Sequence, residues 1–147
     1  MKQNSYTSIQ GSNNGISRIK LNDPSTYNSL SLGMLKSVIA AFKDLDKDER
    51  TRVIIIEGSG KGFSAGHNLK EVRSLKGKSN YNKLFDLCSE LMMVITNSNK
   101  PIIAKVHGAA FAAGCQLVAT CDLALSTTDA KFCTPGVNIG LFCSTPM

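Results

Sequence analysis

The strongest constraint in this sequence is a run of four β-branched residues, Val53-Ile54-Ile55-Ile56, with no polar residue alternating among them. A strand with one wet face alternates apolar and polar side chains, so an unbroken run marks a strand covered on both faces, as in a parallel sheet. Upstream, Ile16, Ile19 and Leu21 interleave with Arg18 and Lys20 as a short strand, which Asn22-Asp23-Pro24-Ser25 closes with turn chemistry. Between the two strands, Leu32, Leu35, Val38, Ile39, Phe42 and Leu45 recur at spacings of three and four. Ser31 stands as N-cap and a charged run from Lys43 to Arg52 lies at the far end. Strand, helix and parallel strand together imply a right-handed crossover and an α/β fold.

The pattern then continues. Gly58, Gly60, Gly62 and Gly66 crowd the loop after the second strand. The spacing predicts a short helix over 68–75, a longer one over 82–96 and a strand over 102–106. Gly108 to Gly114 leads into a helix through Gln116 and Leu117, and a further strand covers 122–126. Lys131-Phe132 and a turn at Thr134-Pro135-Gly136 follow, with no internal repeat or low-complexity tract.

Composition excludes several classes. A chain of 147 residues with 42% hydrophobic content fits one globular domain, and 19% charged residues is too few for a disordered polyelectrolyte. The most apolar stretch, Ala109 to Ala119, is interrupted by Gln116 and falls short of the roughly 18 residues that a membrane helix needs. Residues 1–15 read as a polar leader with one cation, neither a secretory signal nor an Arg-rich presequence, which makes the cytoplasm the expected address. The five cysteines (Cys88, Cys115, Cys121, Cys133 and Cys143) form no CxxC pair, and His67 and His107 stand alone. Neither a disulfide scaffold nor a metal site is expected, and each cysteine reads as a small buried hydrophobe.

The formal charge of +6 is concentrated in one segment. Between Ser59 and Leu84, six cations (Lys61, Lys70, Arg73, Lys76, Lys78 and Lys83) face Glu71 alone. A nucleic-acid surface usually interleaves aromatics with its cations, and this segment offers only Phe63 and Tyr81. A phosphate-bearing small ligand fits the segment at least as well, and a solvated helix face also accounts for it.

Two strand-to-helix junctions carry the chemical signal: Phe63-Ser64-Ala65-Gly66-His67 and Ala110-Phe111-Ala112-Ala113-Gly114. Each is expected to leave backbone N–H groups free at a helix start, at the carboxyl end of a strand, where two such groups can converge on one oxygen. Converging donors make an oxyanion hole. Either loop alone is better explained by close packing of helix on strand.

At this point the sequence resembles the enoyl-CoA hydratase/isomerase (crotonase) superfamily from Ile16 onward. Phe63 to Glu71 is similar to its F-[AS]-[AS]-G-x-[DN]-[LI]-K-E motif, Ala112 to Leu117 to its G-G-G-C-E-L, and Cys121-Asp122-Leu123-Ala124 to its C-D-[IL]-x. Leu21-Asn22-Asp23-Pro24 through Asn28-Ser29-Leu30 is similar to its L-N-x-P-x-x-x-N-[AS]-L. The stretches Gly114 to Ala119 and Thr134 to Pro146 resemble one branch in particular.

The resemblance implies the ClpP/crotonase spiral of ββα units with its C-terminal part missing, residues 16–147 being the N-terminal part. It implies an acyl-CoA thioester whose carbonyl accepts from the backbone N–H groups of His67 and Ala113. Coenzyme A contacts would come from Ser25, Thr26, Tyr27, His67, Asn68, Leu69 and Lys70. No cofactor is implied beyond the coenzyme A of the substrate, and the full-length form is expected to be a homotrimer or hexamer. The two hydratase glutamates are matched by Gln116 and Gly136, neither of which transfers a proton. A side-chain role for His67 as base and for Cys115 as nucleophile are weaker alternatives. Three functions stay open: an enzyme using a proton donor outside this chain, a non-catalytic acyl-CoA binding protein, and a basic nucleic-acid module.

Overall fold

The computed structural model describes residues 2–3 and 6–140. Its main sheet has six strands in the order β1 (Lys2–Gln3), β2 (Thr7–Asn13), β3 (Ile16–Leu21), β4 (Val53–Gly58), β5 (Ile102–Val106) and β7 (Leu123–Ser126). The first three pair antiparallel, and β3, β4, β5 and β7 run parallel. Between β5 and β7 lies β6 (Ala109–Phe111), which pairs parallel with β8 (Lys131–Cys133) as a second, smaller sheet. The helices are α1 (Leu32–Lys47), α2 (Leu69–Ser74), α3 (Lys78–Thr96) and α4 (Ala113–Thr120), and Pro135–Ile139 forms a 3-10 turn.

The expected connection from β3 through α1 to the parallel strand β4 is present. Ser31 caps α1, its Oγ accepting the Met34 N–H at 3.2 Å. The helix buries Met34, Leu35, Val38, Ile39, Phe42 and Leu45 against Ile19, Ile54, Ile56, Ile102 and Ala104, with Leu84, Leu91 and Ile95 of α3 completing the same core.

Four expectations need correction. Residues 7–13, read as part of a polar leader, form β2, because Asn14-Gly15 makes a tight turn with φ of 52° and 85° and brings them back along β3. That turn is tied to β4 through the Gly15 carbonyl, which accepts the Arg52 and Val53 N–H groups at 2.7 and 3.0 Å. Strand β4 is covered fully on one face only: Ile54 and Ile56 are buried, whereas Val53 and Ile55 are half-buried beside Arg18 and Lys20 of β3. Helix α3 begins at Lys78, before the predicted start at 82, because Gly77 at φ 80° lets the chain turn directly into it after α2. Strand β6 was not foreseen, since its Ala-Ala-Phe carries no alternation. Leu141 to Met147, which include Cys143 and part of the motif resemblance, lie outside the described residues.

Strand β7 ends the described sheet and is exposed along its length, with Leu123 at 62% and Leu125 at 65%. Its apolar pair lies on one face of an open strand edge, an arrangement that favours edge-to-edge association. The 147-residue chain is therefore expected to self-associate. The double substitution Leu123→Lys, Leu125→Lys should raise the monomer fraction in sedimentation velocity while moving stability by no more than about 0.5 kcal/mol per site. A parent chain that sediments as a monodisperse monomer contradicts this.

Candidate functional site

The two glycine-rich junctions meet in space. Ser64 and Ala110 form a parallel bridge in which the Ser64 N–H donates to the Ala109 carbonyl at 3.0 Å and the Phe111 N–H to the Ser64 carbonyl at 2.9 Å. Two glycines permit the approach. A Cβ on Gly66 (φ 84°) would sit 2.7 Å from the Phe111 carbonyl oxygen and 3.0 Å from the Ala113 nitrogen, and one on Gly114 would sit 2.4 Å from the Ser64 carbonyl oxygen. No side chain fits at either place.

Peptide planarity sets the direction of the two candidate donors. In a trans peptide the N–H points opposite to the preceding carbonyl. The Gly66 carbonyl is held by the Leu30 N–H at 2.7 Å, so the His67 N–H is turned away from Leu30. Ala112 has φ 49° and ψ −123°, a glycine-type conformation costing about 1–3 kcal/mol for a residue with a Cβ. This reversal sends its carbonyl along α4 to accept the Gln116 N–H at 3.0 Å, and the Ala113 N–H points out of the helix start. The Ala112 N–H is anchored on the Cys133 carbonyl at 2.8 Å. Neither the His67 nor the Ala113 N–H meets a protein acceptor among the described residues.

One feature of the first junction differs from expectation. His67 precedes the N-cap of α2, and the N–H groups that do start this helix, those of Lys70 and Glu71, are taken by the Asn68 side chain at 3.1 and 3.2 Å. The His67 donor is free through the loop's geometry, not through a helix terminus.

That geometry is organised by a residue to which the sequence reading assigned no role. Asn28 is completely buried, with φ 52°. Its amide nitrogen donates to the carbonyls of Ser59, Gly62 and Phe63 at 2.8, 2.9 and 3.1 Å, and its oxygen accepts from the Asp23 N–H at 3.0 Å and the Ser59 hydroxyl at 3.1 Å. Ser64 Oγ donates to the Asn28 carbonyl at 2.9 Å, and the Ala65 N–H to the Tyr27 carbonyl at 2.9 Å. The loop after β3 is thereby zipped to the loop after β4. The signal in the sequence was its place as the asparagine of the L-N-x-P-x-x-x-N-[AS]-L stretch, to which no role was assigned.

The proposed coenzyme A contacts fall on this zipped loop and on α2. The Ser25 and Thr26 hydroxyls donate to the two Asp23 carboxylate oxygens at 2.7 and 2.6 Å, and these bonds hold Asp23 below its ordinary carboxylate range. Their donors are therefore committed inward, while Tyr27, Leu69 and Lys70 are exposed. Glu71 reaches across to accept the Leu32 N–H at 3.0 Å, which ties α2 to the positive end of α1.

The His67 ring is engaged in packing. Its Nδ1 lies 3.4 Å from the Leu30 carbonyl oxygen, and the ring meets Phe85 of α3 edge-on at 5.5 Å. Burial lowers its pKa below 6.5, against the opposing pull of the Leu30 carbonyl and Glu71. Gln116 lies one turn along α4 from Ala113, half-buried, and its amide makes no hydrogen bond among the described residues. Gly136 sits in the 3-10 turn that follows β8, three residues beyond the Cys133 carbonyl that anchors Ala112.

The cysteines divide. Burial pushes Cys88 up to about 11 and, with Asp122 nearby, Cys121 up to about 12, values of inert thiols. Cys115 and Cys121 are half-buried, and Cys133 is exposed on β8, so among the described cysteines the buried reading holds fully only for Cys88. The described residues contain no cluster of three metal-ligating side chains.

Because the His67 pKa is depressed in the folded state, the unfolded chain takes up this proton first as pH falls. Stability is unaffected by this group above about 6.5, and declines as pH drops through 6.5 toward the folded value. Urea midpoints measured at pH 7.5 and 5.5 should drop more for the parent than for His67→Gln. Equal drops would contradict the assignment.

The comparisons with known proteins accord with this architecture. The profile of the enoyl-CoA hydratase/isomerase family matches residues 11–146. The mitochondrial enoyl-CoA hydratase domain-containing protein 3 of Rattus norvegicus is 49% identical over 132 residues, covering 90% of this chain and 44% of the relative. That of Danio rerio is 51% identical over 133 residues, covering 90% and 46%. Among solved structures, an enoyl-CoA hydratase of Mycobacterium smegmatis superposes with a TM-score of 0.91 at 46% identity, and human enoyl-CoA hydratase domain-containing protein 3 with 0.90 at 46%. Each comparison covers 96% of this chain and 55% of the other.

The chain thus spans about half the length of the relatives it matches, and its fold is the crotonase-like α/β spiral over that half. The branch suggested by the motifs is the one these relatives represent. They carry "mitochondrial" in their names, and the cytoplasmic expectation finds no support in them. No helix of the described residues is long and apolar enough to cross a membrane. With a family profile running over nearly all of its length and relatives close to half identical, this chain belongs to the enoyl-CoA hydratase/isomerase family.

Proposed function

We propose that this chain binds acyl-CoA thioesters and stabilises negative charge on the thioester carbonyl through the backbone N–H groups of His67 and Ala113. The observation that carries this reading is the meeting of the two junctions at Gly66 and Ala113, with both N–H groups free of protein acceptors. As an α-proton leaves, or as a nucleophile adds, charge grows on the carbonyl oxygen. Donors already in place stabilise it without reorganisation, each contributing about 2.7–4 kcal/mol in a water-excluded site. The start of α4 adds its positive end at the Ala113 donor. Ser25, Thr26 and Tyr27 with His67 to Lys70 would hold the coenzyme A portion, the exposed Lys70 supplying charge to its phosphates.

The usual hydratase proton-transfer glutamates are replaced in this chain. Gln116 and Gly136 are read as the positions matching the two hydratase glutamates. An amide orients water but does not titrate near neutral pH, and glycine contributes only space. The enzyme reading therefore needs an acid or base outside this chain. Gln116 and Gly136 equally favour a second reading, a non-catalytic acyl-CoA binding protein, in which the same two N–H groups recognise the thioester. A nucleic-acid role has only the basic segment in its support.

Crotonyl-CoA hydration, followed as loss of the enoyl thioester absorbance, should be absent or lower by about 100-fold or more than in a glutamate-bearing hydratase, since each positioned acid or base contributes roughly 100- to 10,000-fold. The double substitution Gln116→Glu, Gly136→Glu should raise it. Robust hydration by the unmodified protein would return it to the ordinary hydratases.

A further inference from the structure

We infer that Asn28 is a positioning residue of the oxyanion hole, acting on the His67 N–H through the Leu30 N–H and the Gly66 carbonyl. This inference rests on the acyl-CoA reading above. A planar peptide allows only one way to aim the His67 N–H, which is to hold the carbonyl on its other side. That carbonyl is held by Leu30, two residues along the chain from Asn28, at 2.7 Å. Leu30 can hold it in place only if its own loop is fixed relative to the loop carrying Gly66.

Asn28 does the fixing. Successive left-handed residues, Tyr27 and Asn28 at φ 55° and 52°, turn the chain so that the Asn28 side chain enters the second loop and Leu30 returns to its outer edge. The amide donates to three carbonyls of residues 59–63 and accepts from Asp23 and Ser59, so every polar atom of the side chain is used. An aspartate there would keep the acceptor and lose the donors. Ser64 closes the circuit: its hydroxyl donates to the Asn28 carbonyl at 2.9 Å and accepts the Gly66 N–H at 3.3 Å. Its backbone meanwhile binds Ala109 and Phe111 on the way to Ala113. One buried side chain thus connects the coenzyme A loop, the His67 donor and the Ala113 donor.

A merely structural asparagine and a positioning one differ in what the folded molecules do. The test compares butyryl-CoA with S-butyl-CoA, a thioether without the carbonyl, in parent, Asn28→Asp and Ser64→Ala chains. Two readouts are taken: the ratio of the two affinities, and the infrared carbonyl stretch of bound ¹³C-labelled butyryl-CoA. Both report on folded, ligated protein and are insensitive to a fraction that has unfolded.

In the parent, the thioester should bind more tightly than the thioether, and its carbonyl band should move to lower frequency. Asn28→Asp should reduce the affinity ratio about tenfold and return the band toward its free position. Ser64→Ala, which deletes one hydroxyl and leaves the side chain of Asn28 in place, should give a smaller change in the same direction and decides the matter if Asn28→Asp does not fold. Parent-like ratios and bands in the folded variants would overturn the positioning role while leaving the oxyanion reading intact. A parent with no preference and no band movement would overturn both.

Discussion

A single buried side-chain amide, that of Asn28, ties together the two loops that carry the candidate site. Asn28 lies between two loops that share no strand pairing beyond the Leu30 bridge to His67, and it donates to the part-buried Ser59 carbonyl and to the buried Gly62 and Phe63 carbonyls. Leaving a buried carbonyl unsatisfied costs about 1–3 kcal/mol, so the Gly62 and Phe63 carbonyls favour the observed path of the loop after β4. From that fixed loop the chain continues through Ser64, bridged to Ala110, and through Gly66, pressed against Ala113. The arrangement of the two donors follows from satisfying the buried polar groups of the loops.

Strain and charge are placed around the same point. Ala112 adopts a conformation suited to glycine, which α4 and the Cys133 carbonyl hold in place. The buried core from α1, α3 and the parallel strands stabilises the scaffold and allows one residue to be strained at the site. The basic excess runs from Lys61 in the loop after β4 through α2 and the α2–α3 connection to the N-terminal half of α3, on both sides of His67 in sequence, and its cations are exposed. A neutral His67 ring packed on Phe85 keeps that junction free of an additional buried charge.

Periodicity made much of the scaffold legible. The Leu32 to Leu45 stripe states its helix locally through its spacing, and the β-branched Val53 to Ile56 run and the strand over 102–106 state theirs through residue type, although the run does not tell which face of β4 is buried. Strand β2 was hidden by its polar composition, although Asn14-Gly15 marks a tight hairpin turn. Strand β6 and the parallel bridge at Ser64 could not be seen, since three residues of Ala and Phe carry no period and the partner lies 46 positions away. The two junctions were found by their glycines. The role of Asn28 was not, because a buried amide is defined by the carbonyls around it, and those come from a loop more than 30 residues downstream.

In the proposed function the His67 and Ala113 N–H groups together receive a thioester oxygen. The most direct measurement follows these two amides by ¹H–¹⁵N correlation spectra as butyryl-CoA or S-butyl-CoA is added. Both amide protons should move downfield with the thioester and stay near their free positions with the thioether, since only the former brings an acceptor oxygen to them. Movement of one amide alone, of neither, or of both with either ligand would contradict the claim.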